Sequence, residues 1–386
     1  LMHDFLERLG YICWGICTAI CENVSLQGAT AFDLEFAVSM SQIVLSSSTC
    51  KVHEFPKCRL YILFCIIDLV SISQFARAVA NVDDFVTESK DVAMGIKPEL
   101  METGDGVTEN ILREVHIIIL SAMSRHSRES RLRETLLKLG IREALIALAK
   151  IAIDEPGQLN LDLFTVHLMT LAIGLLSDGG LGQLSREEDF RDANEVTQSF
   201  LFSTDDPIIQ MNVILSMFNF MRQKNSPCIV VMATKEVIAR IVSFVEYVHS
   251  ESGHVTLTLA AEAIIEKFED VTRDIVESLV WHSVCLLVLI AKLSKTASDI
   301  LLSLNVLPRV LNCVFGLKGH ETLGFIQADH HEDEKFDGQM RKLGFLFAWT
   351  MVNKDRRAMA TILEHDVIKI VIVSINNQQS SPSLKM

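Results

Sequence analysis

Glycine, proline and the larger ring-bearing residues are scarce in this chain. Its 386 residues include 18 Gly, 7 Pro, 3 Trp and 3 Tyr, and aromatics make up only 7%. An all-β fold needs turn residues and aromatic strands in quantity, so that class is excluded. Disorder is excluded by the opposite measure, because 49% hydrophobic residues is far more apolar surface than an unfolded segment carries. Catalytic signatures are missing as well. There is no Gly-x-x-x-x-Gly-Lys-Ser/Thr loop, no Gly-x-Gly-x-x-Gly after a strand, no His-Glu-x-x-His and no Gly-x-Ser-x-Gly elbow. DGGLG at 178–182 follows a helical pattern rather than a strand and reads as a helix stop. The expectation is a protein that is not an enzyme, with no cofactor, no metal and no small-molecule substrate.

Long uncharged runs are absent too. A spanning helix needs about 20 apolar residues, whereas the longest uncharged stretches, such as 163–177, 207–221 and 370–384, are 15 residues and contain polar groups. They fit buried helices, so no membrane span is expected. Leu1–Glu7 shows no basic region leading into an apolar core, which argues against a secretory leader, and the opening Leu suggests a longer parent chain. The 9 Cys are odd in number and fall mainly in apolar runs. A disulfide framework is therefore not expected, and a reducing compartment is: the cytoplasm, with the nucleus second. Charge points away from nucleic acid and anionic lipid, since 35 Lys+Arg against 49 Asp+Glu leaves −14.

What is present is aliphatic residue at helical spacing. At roughly 150 residues per domain the length suggests two or three domains or one elongated array, and a recurring pattern favours the array. An apolar helix end, a polar or Gly break and a β-branched residue opening another apolar helix occur together in LLKLGIREALIAL (136–148), VVMATKEVIARIVSFV (230–245), LLSLNVLPRVLNCVF (301–315) and TILEHDVIKIVIVSI (361–375). RAVANVDDFV (77–86) and FRDANEVTQSFLF (190–202) are weaker copies. The residue after each break gives anchors at Val82, Ile141, Val196, Val237, Val306 and Val367, at intervals of 59, 55, 41, 69 and 61 residues. Longer apolar stretches lie between the anchors, at 58–72, 109–124, 162–177, 207–221, 254–268, 279–294 and 339–353. In the fourth of these, Asp205 or Asp206 can cap a helix that has Pro207 at its first position. Ile208, Met211, Ile214, Leu215 and Phe218 then share one face.

The order of long helix, short helix, break and second helix resembles the armadillo repeat over about residues 60–375, with irregular spacing. That resemblance implies an all-α, right-handed superhelical solenoid in which the long helix of each unit lines the concave side. Residues 1–57 read as a helical cap or degenerate repeat, 58–378 as the repeats, and 379–386 as a disordered tail. Insertions are expected at 87–108, 178–194 and 317–337, which hold glycines or runs of acidic residues.

Trp349 and Asn353 stand four apart on one helix face. They resemble the Trp-x-x-x-Asn array of importin-α-type armadillo proteins, and the resemblance implies that Asn bonds a peptide backbone while Trp packs its side chains. Asn219 matches the second position, but Leu215 replaces the Trp; other units offer Ser124, Ser177 and Ser294. Arg356 and Arg357, with Lys354, would frame the exit of such a groove. Packing in the core or on a ridge is the competing reading for Trp349, and packing is the reading for Trp281. The run RHSRESRLRE (125–134) brings Arg125, Arg128, Arg131 and Arg133 together, with Lys138 further on, and reads as a solvated helix face. His330 and His331 lie in an acidic stretch with no rigid ligand spacing, and Cys13, Cys17 and Cys21 line one helix face as packing groups.

The function expected is a protein-interaction scaffold or adaptor that binds an extended peptide or partner helix. Two other readings stay open. One is a regulator of a small GTPase or G protein, of exchange-factor or chaperone type; the other is a substrate-receptor or regulatory region of a larger assembly. A nuclear-import adaptor ranks below these, because the Trp/Asn pair does not repeat.

Overall fold

Several helix starts follow from a single residue whose side chain occupies amide groups that the first turn leaves without partners. Asp162 Oδ1 accepts from Thr165 N at 2.6 Å, and Asp206 Oδ1 accepts from Ile208 N and Ile209 N at 2.9 and 3.0 Å. Thr234, Thr258 and Ser294 do the same for Val237, Ala261 and Ala297. Thr30 and Asp33 form a reciprocal capping box: Asp33 accepts from Thr30 N at 2.8 Å, and Thr30 Oγ1 accepts from Asp33 N at 3.3 Å. The computed structural model describes residues 2–49, 56–82, 84–96, 106–155, 159, 161–177, 187–221, 233–251, 254–315 and 333–364.

The chain is mostly helical, and it divides into two compact units, Leu1–Ser185 and Arg186–Met386. The first contains α1 (Met2–Gln27), α2 (Ala31–Thr49), α3 (Pro56–Val70), α4 (Ser73–Ala80), α5 (Phe85–Ala93), α6 (Gly106–Ser124), α7 (Ser130–Lys138), α8 (Ile141–Asp154) and α9 (Leu163–Leu176). Its longer helices pack serially, α1 on α3, α3 on α6 and α6 on α9. The shorter ones form a second layer, in which α2 covers α3, α5 covers α6 and α8 covers α9. Leu63, Ile66, Leu69, Ile117, Ile119 and Leu120 are fully buried between the layers, each worth roughly 1.5–3 kcal/mol of transfer free energy.

The second unit contains α10 (Glu187–Ser203), α11 (Pro207–Met221), α12 (Lys235–Val245), a hairpin of β1 (Val248–Glu251) and β2 (His254–Leu257), α13 (Leu259–Lys267), α14 (Arg273–Leu293), α15 (Lys295–Ser303), α16 (Val306–Phe315), α17 (Asp333–Lys354) and α18 (Arg357–Glu364). Here α11 packs on α14 and α14 on α17, while α10, α12 and α16 cover α11, α14 and α17 in turn. The contact of α16 with α17 depends on Gly344, since a Cβ there would lie 2.9 Å from the Phe315 ring and 3.1 Å from Val314. α14 is the one described helix long and apolar enough to cross a membrane by length and composition alone. α11 and α17 flank it, and Val276, Leu279, Val280, Val284, Leu287 and Ile290 are buried there.

Two of the sequence breaks are the same turn. Gly140 has φ +71° and Asn305 φ +51°, both left-handed. In each, the residue before the break bonds the carbonyl four back (Leu139 N to Thr135 O, Leu304 N to Ile300 O), and the break residue bonds the carbonyl three back (Gly140 N to Leu137 O, Asn305 N to Leu302 O). Ile141 and Val306 then open α8 and α16, as the spacing predicts. Val237 lies in the first turn of α12.

The remaining anchors need correction or fall elsewhere. In RAVANVDDFV the left-handed residue is Asp84, φ +62°, and the helix opens at Phe85 rather than Val82. Val196 sits in the middle of α10, so the weak copy at 190–202 contains no break. Val367 lies outside the described residues. The stretch 254–268 is not one helix: His254–Leu257 is a strand paired with Val248–Glu251, and the helix begins only at Leu259. Along β1 Val248 and Ser250 are buried with His249 between them half-buried, the alternation of a strand rather than of a helix. The longest interval, 69 residues, is long because this hairpin and α13 lie within it. The expected insertions are shorter than the sequence suggests, since 87–93 belongs to α5, 187–194 to α10 and 333–337 to α17. Within α11 the buried residues include Ile209, Val213, Met217 and Phe220; of the expected face only Ile214 is buried with them, while Ile208, Met211, Leu215 and Phe218 are half-buried. A helix apolar all round does not announce which side faces inward.

The left-handed turns make a stability prediction. Gly140→Val puts a β-branched side chain at positive φ and is expected to cost about 1–2 kcal/mol, whereas Asn305→Gly is expected to be neutral or slightly stabilising. Urea denaturation followed by circular dichroism checks both.

Candidate partner-binding surface

α17 presents two faces of opposite character. Met340, Gly344, Phe347, Ala348 and Met351 are buried, packed where α14 and α16 lie against the helix. On the other side Gln339, Lys342, Leu346, Trp349 and Asn353 form an exposed stripe at spacings of three and four. Trp349 is 65% exposed and Leu346 44%. Trp349 therefore lies outside the core, in line with Asn353 one turn further on. α18 continues the apolar character at Met359 and Leu363, 43% and 59% exposed.

The neighbouring long helices present less. α14 is flanked by α11 and α17 and backed by α12, and Ser278, His282, Cys285 and Leu289 are half-buried along its remaining side. His282 Nδ1 meets the Ser278 carbonyl at 2.6 Å, and the ring stands edge-on to Trp281, 4.7 Å between centroids. Burial lowers the His282 pKa despite that hydrogen bond, and it pushes the Cys285 thiol up to about 12. At neutral pH this side is thus an uncharged imidazole and a protonated thiol among aliphatics. Trp281 is half-buried beside them.

On α11, Met211, Leu215, Phe218 and Asn219 are half-buried. Ile208 is taken up by the small core of Ala261, Val271 and Val276 beside the hairpin. Asn219 thus stands one turn from Leu215, an amide without an indole beside it.

The serines of the expected row are spent on the fold. Ser124 Oγ donates to its own helix at Leu120 O, 2.7 Å. Ser177 follows the last turn of α9 and is 1% exposed, so it offers nothing to a docked chain. Ser294 caps α15, its Oγ accepting from Ala297 N at 3.2 Å. A polar ladder through Ser177 and Ser294 is therefore replaced by apolar stripes, because Ser177 is buried and the Ser294 hydroxyl is drawn into capping a helix start.

The rim cations separate in the same way. Lys354 and Arg356 are exposed. Arg357 is instead bound at the corner between α17 and α18: its guanidinium pairs with Asp299 of α15 and with Asp355, and its backbone N–H donates to Asp355 Oδ1 at 2.8 Å. These bonds hold the Asp355 carboxyl down at about 2. Arg357 is a corner tie rather than an open rim charge. In the first unit Arg125, Arg128 and Arg131 are exposed, as a solvated face should be, but Arg133 is 5% exposed and donates to Leu176 O at 3.1 Å. Cys17 is buried and Cys13 and Cys21 half-buried against α3, in keeping with packing. His330 and His331 lie outside the described residues.

Burial separates the two aromatic roles on α17. Trp349→Ala with Asn353→Ala is expected to change unfolding free energy by less than about 0.5 kcal/mol. Phe347→Ala, at a fully buried site, is expected to cost about 3–5 kcal/mol. Thermal and urea unfolding give both values. The corner tie carries a pH prediction. A carboxyl whose folded pKa is depressed stabilises above the ordinary carboxylate value, near 4, and loses that contribution as pH falls towards 2. Tryptophan fluorescence should report an acid-sensitive step in that window, reduced in Asp355→Asn. No protein-family model and no curated protein matches this sequence.

Proposed function

We propose that the chain is a non-catalytic protein-interaction scaffold built as an armadillo-like array. An extended peptide or partner helix would dock on the open stripe of α17, continuing over the stripes of α14 and α11. The observation that carries this reading is the 65% exposure of Trp349 in register with Leu346 and Asn353. A large aromatic held in solvent on a rigid helix loses little conformational freedom on binding and buries a broad apolar face. The Asn353 amide adds one donor and one acceptor set for a peptide backbone. Arg356 and Lys354 beside this end favour acidic groups at one end of the bound segment.

Two features support the array itself. One helix–turn–helix geometry recurs at Gly140 and Asn305, and the long helices of each unit pack in series, each covered by a shorter one. A unit of this kind buries its apolar faces only by stacking on its neighbours, which reconciles 49% hydrophobic content with a net charge of −14. A reducing cytoplasmic setting is part of the proposal, since the described cysteines are free.

Affinity purification with quantitative mass spectrometry tests the reading by comparing wild type with Trp349→Ala/Asn353→Ala. Partners that use the stripe should fall at least about tenfold in recovery. If the double variant, folded as wild type, retains the full partner set, the α17 stripe is not the binding surface.

A further inference from the structure

A second open face lies on α1, in the other unit and independent of the α17 stripe. α1 packs on α3 through Gly10, Cys17 and Val24, which are buried. The side turned away from α3 should be polar if it faces only water. Instead it carries Leu9, Ile12, Gly15, Ile16 and Ala19, with Leu9 45%, Ile12 56% and Ile16 49% exposed. A Cβ placed on Gly15 would meet nothing within 4 Å, so this face has open space at its centre. Among its described side chains the one basic residue, Arg8, stands at one end and the one acidic residue, Glu22, at the other, both exposed.

We infer that this face is a self-association surface, on which α1 of a second copy of the chain packs antiparallel about a two-fold axis near Gly15 and Ile16. The sequence of the face is complementary to its own reverse. In that register Ile12 of one copy falls opposite Ala19 of the other, and Ile16 falls opposite Gly15, so each isoleucine meets a small residue and the helices approach closely at the centre, while Leu9 lies against the aliphatic stem of Glu22. Arg8 falls within one residue of Glu22 of the second copy, and two-fold symmetry repeats the pair at the other end. A parallel arrangement would place Arg8 against Arg8 and Glu22 against Glu22, which like-charge repulsion disfavours. Close approach through small residues needs no lengthening of the helix, whose 26 residues span about 39 Å. A single helix pair lies at the small end of stable interfaces, so the dimer is a weak, concentration-dependent one.

Sedimentation equilibrium of the full chain tests this. The average mass should rise with concentration from 43.2 kDa towards twice that value, with a midpoint at or below about 100 μM. Ile12→Asp with Ile16→Asp should hold the chain monomeric throughout. Arg8→Glu should weaken association at least about tenfold, and adding Glu22→Arg should restore it. Far-UV circular dichroism confirms that α1 remains helical; if the aspartate variant unfolds, the exposed charge swap alone decides the matter. A wild-type chain monomeric at every concentration overturns the proposal, as does an aspartate variant that dimerises like wild type. A charge reversal that the second reversal does not rescue overturns the antiparallel register. Binding to neutral phosphatidylcholine vesicles without dimerisation also overturns it, since the face would then be directed to lipid.

Discussion

Every α-helix leaves the carbonyls of its last turn without partners, and a chain of many short helices multiplies that cost. Here cationic side chains reach from one helix to the end of another. Arg113 of α6 donates to Ala93 O of α5 at 2.7 Å, and Lys90 of α5 to Leu139 O after α7 at 2.9 Å. Arg133 of α7 reaches Leu176 O of α9, and Arg240 of α12 reaches Leu201 O of α10. Each bond places a positive charge at the negative end of a helix dipole, worth about 0.3–1 kcal/mol at an exposed site and more when partly buried. Because donor and acceptor belong to different helices, the bonds also fix which helix follows which within a unit. Apolar burial supplies most of the stability, but it is non-directional; the end bonds give the packing its order.

The same economy explains what is left over for recognition. Arg133, Ser294 and Arg357 are drawn into helix ends and corners, where their polar groups hold partners within the fold. What remains open is side chain with no such duty: Trp349, Leu346 and Asn353 on α17, and Ile12, Ile16 and Gly15 on α1. The two surfaces differ in chemistry. The α17 stripe mixes an indole, an amide and nearby cations, suited to a peptide with its own polar backbone. The α1 face is aliphatic between one positive and one negative end, suited to a helix like itself.

Some of this was legible in the residues. The α11 stretch has the predicted bounds, because Asp206 and Pro207 are local signals that need no tertiary context. The Gly140 and Asn305 breaks were readable for the same reason, since few residues accept positive φ. The hairpin at 248–257 was missed because four-residue strands are too short for periodicity to outweigh a flanking helix. Val196 misled because Asn and Asp in the middle of a helix resemble a break when their side chains are not visible.

The sequence by itself determined that the chain is mostly helical, where several helices begin and that one turn recurs, because capping, backbone conformation and hydrophobic spacing act over a few residues. Only the tertiary structure decided which side of each apolar helix is buried. Ile209 and Val213 of α11 face inward while Met211 and Leu215 are half-exposed, and nothing within a uniformly apolar helix distinguishes them. It also decided that Trp349 stands in solvent while Phe347, two residues earlier, is buried. That difference comes from where α14 and α16 lie against α17, a property of packing partners distant in the chain rather than of the residues themselves.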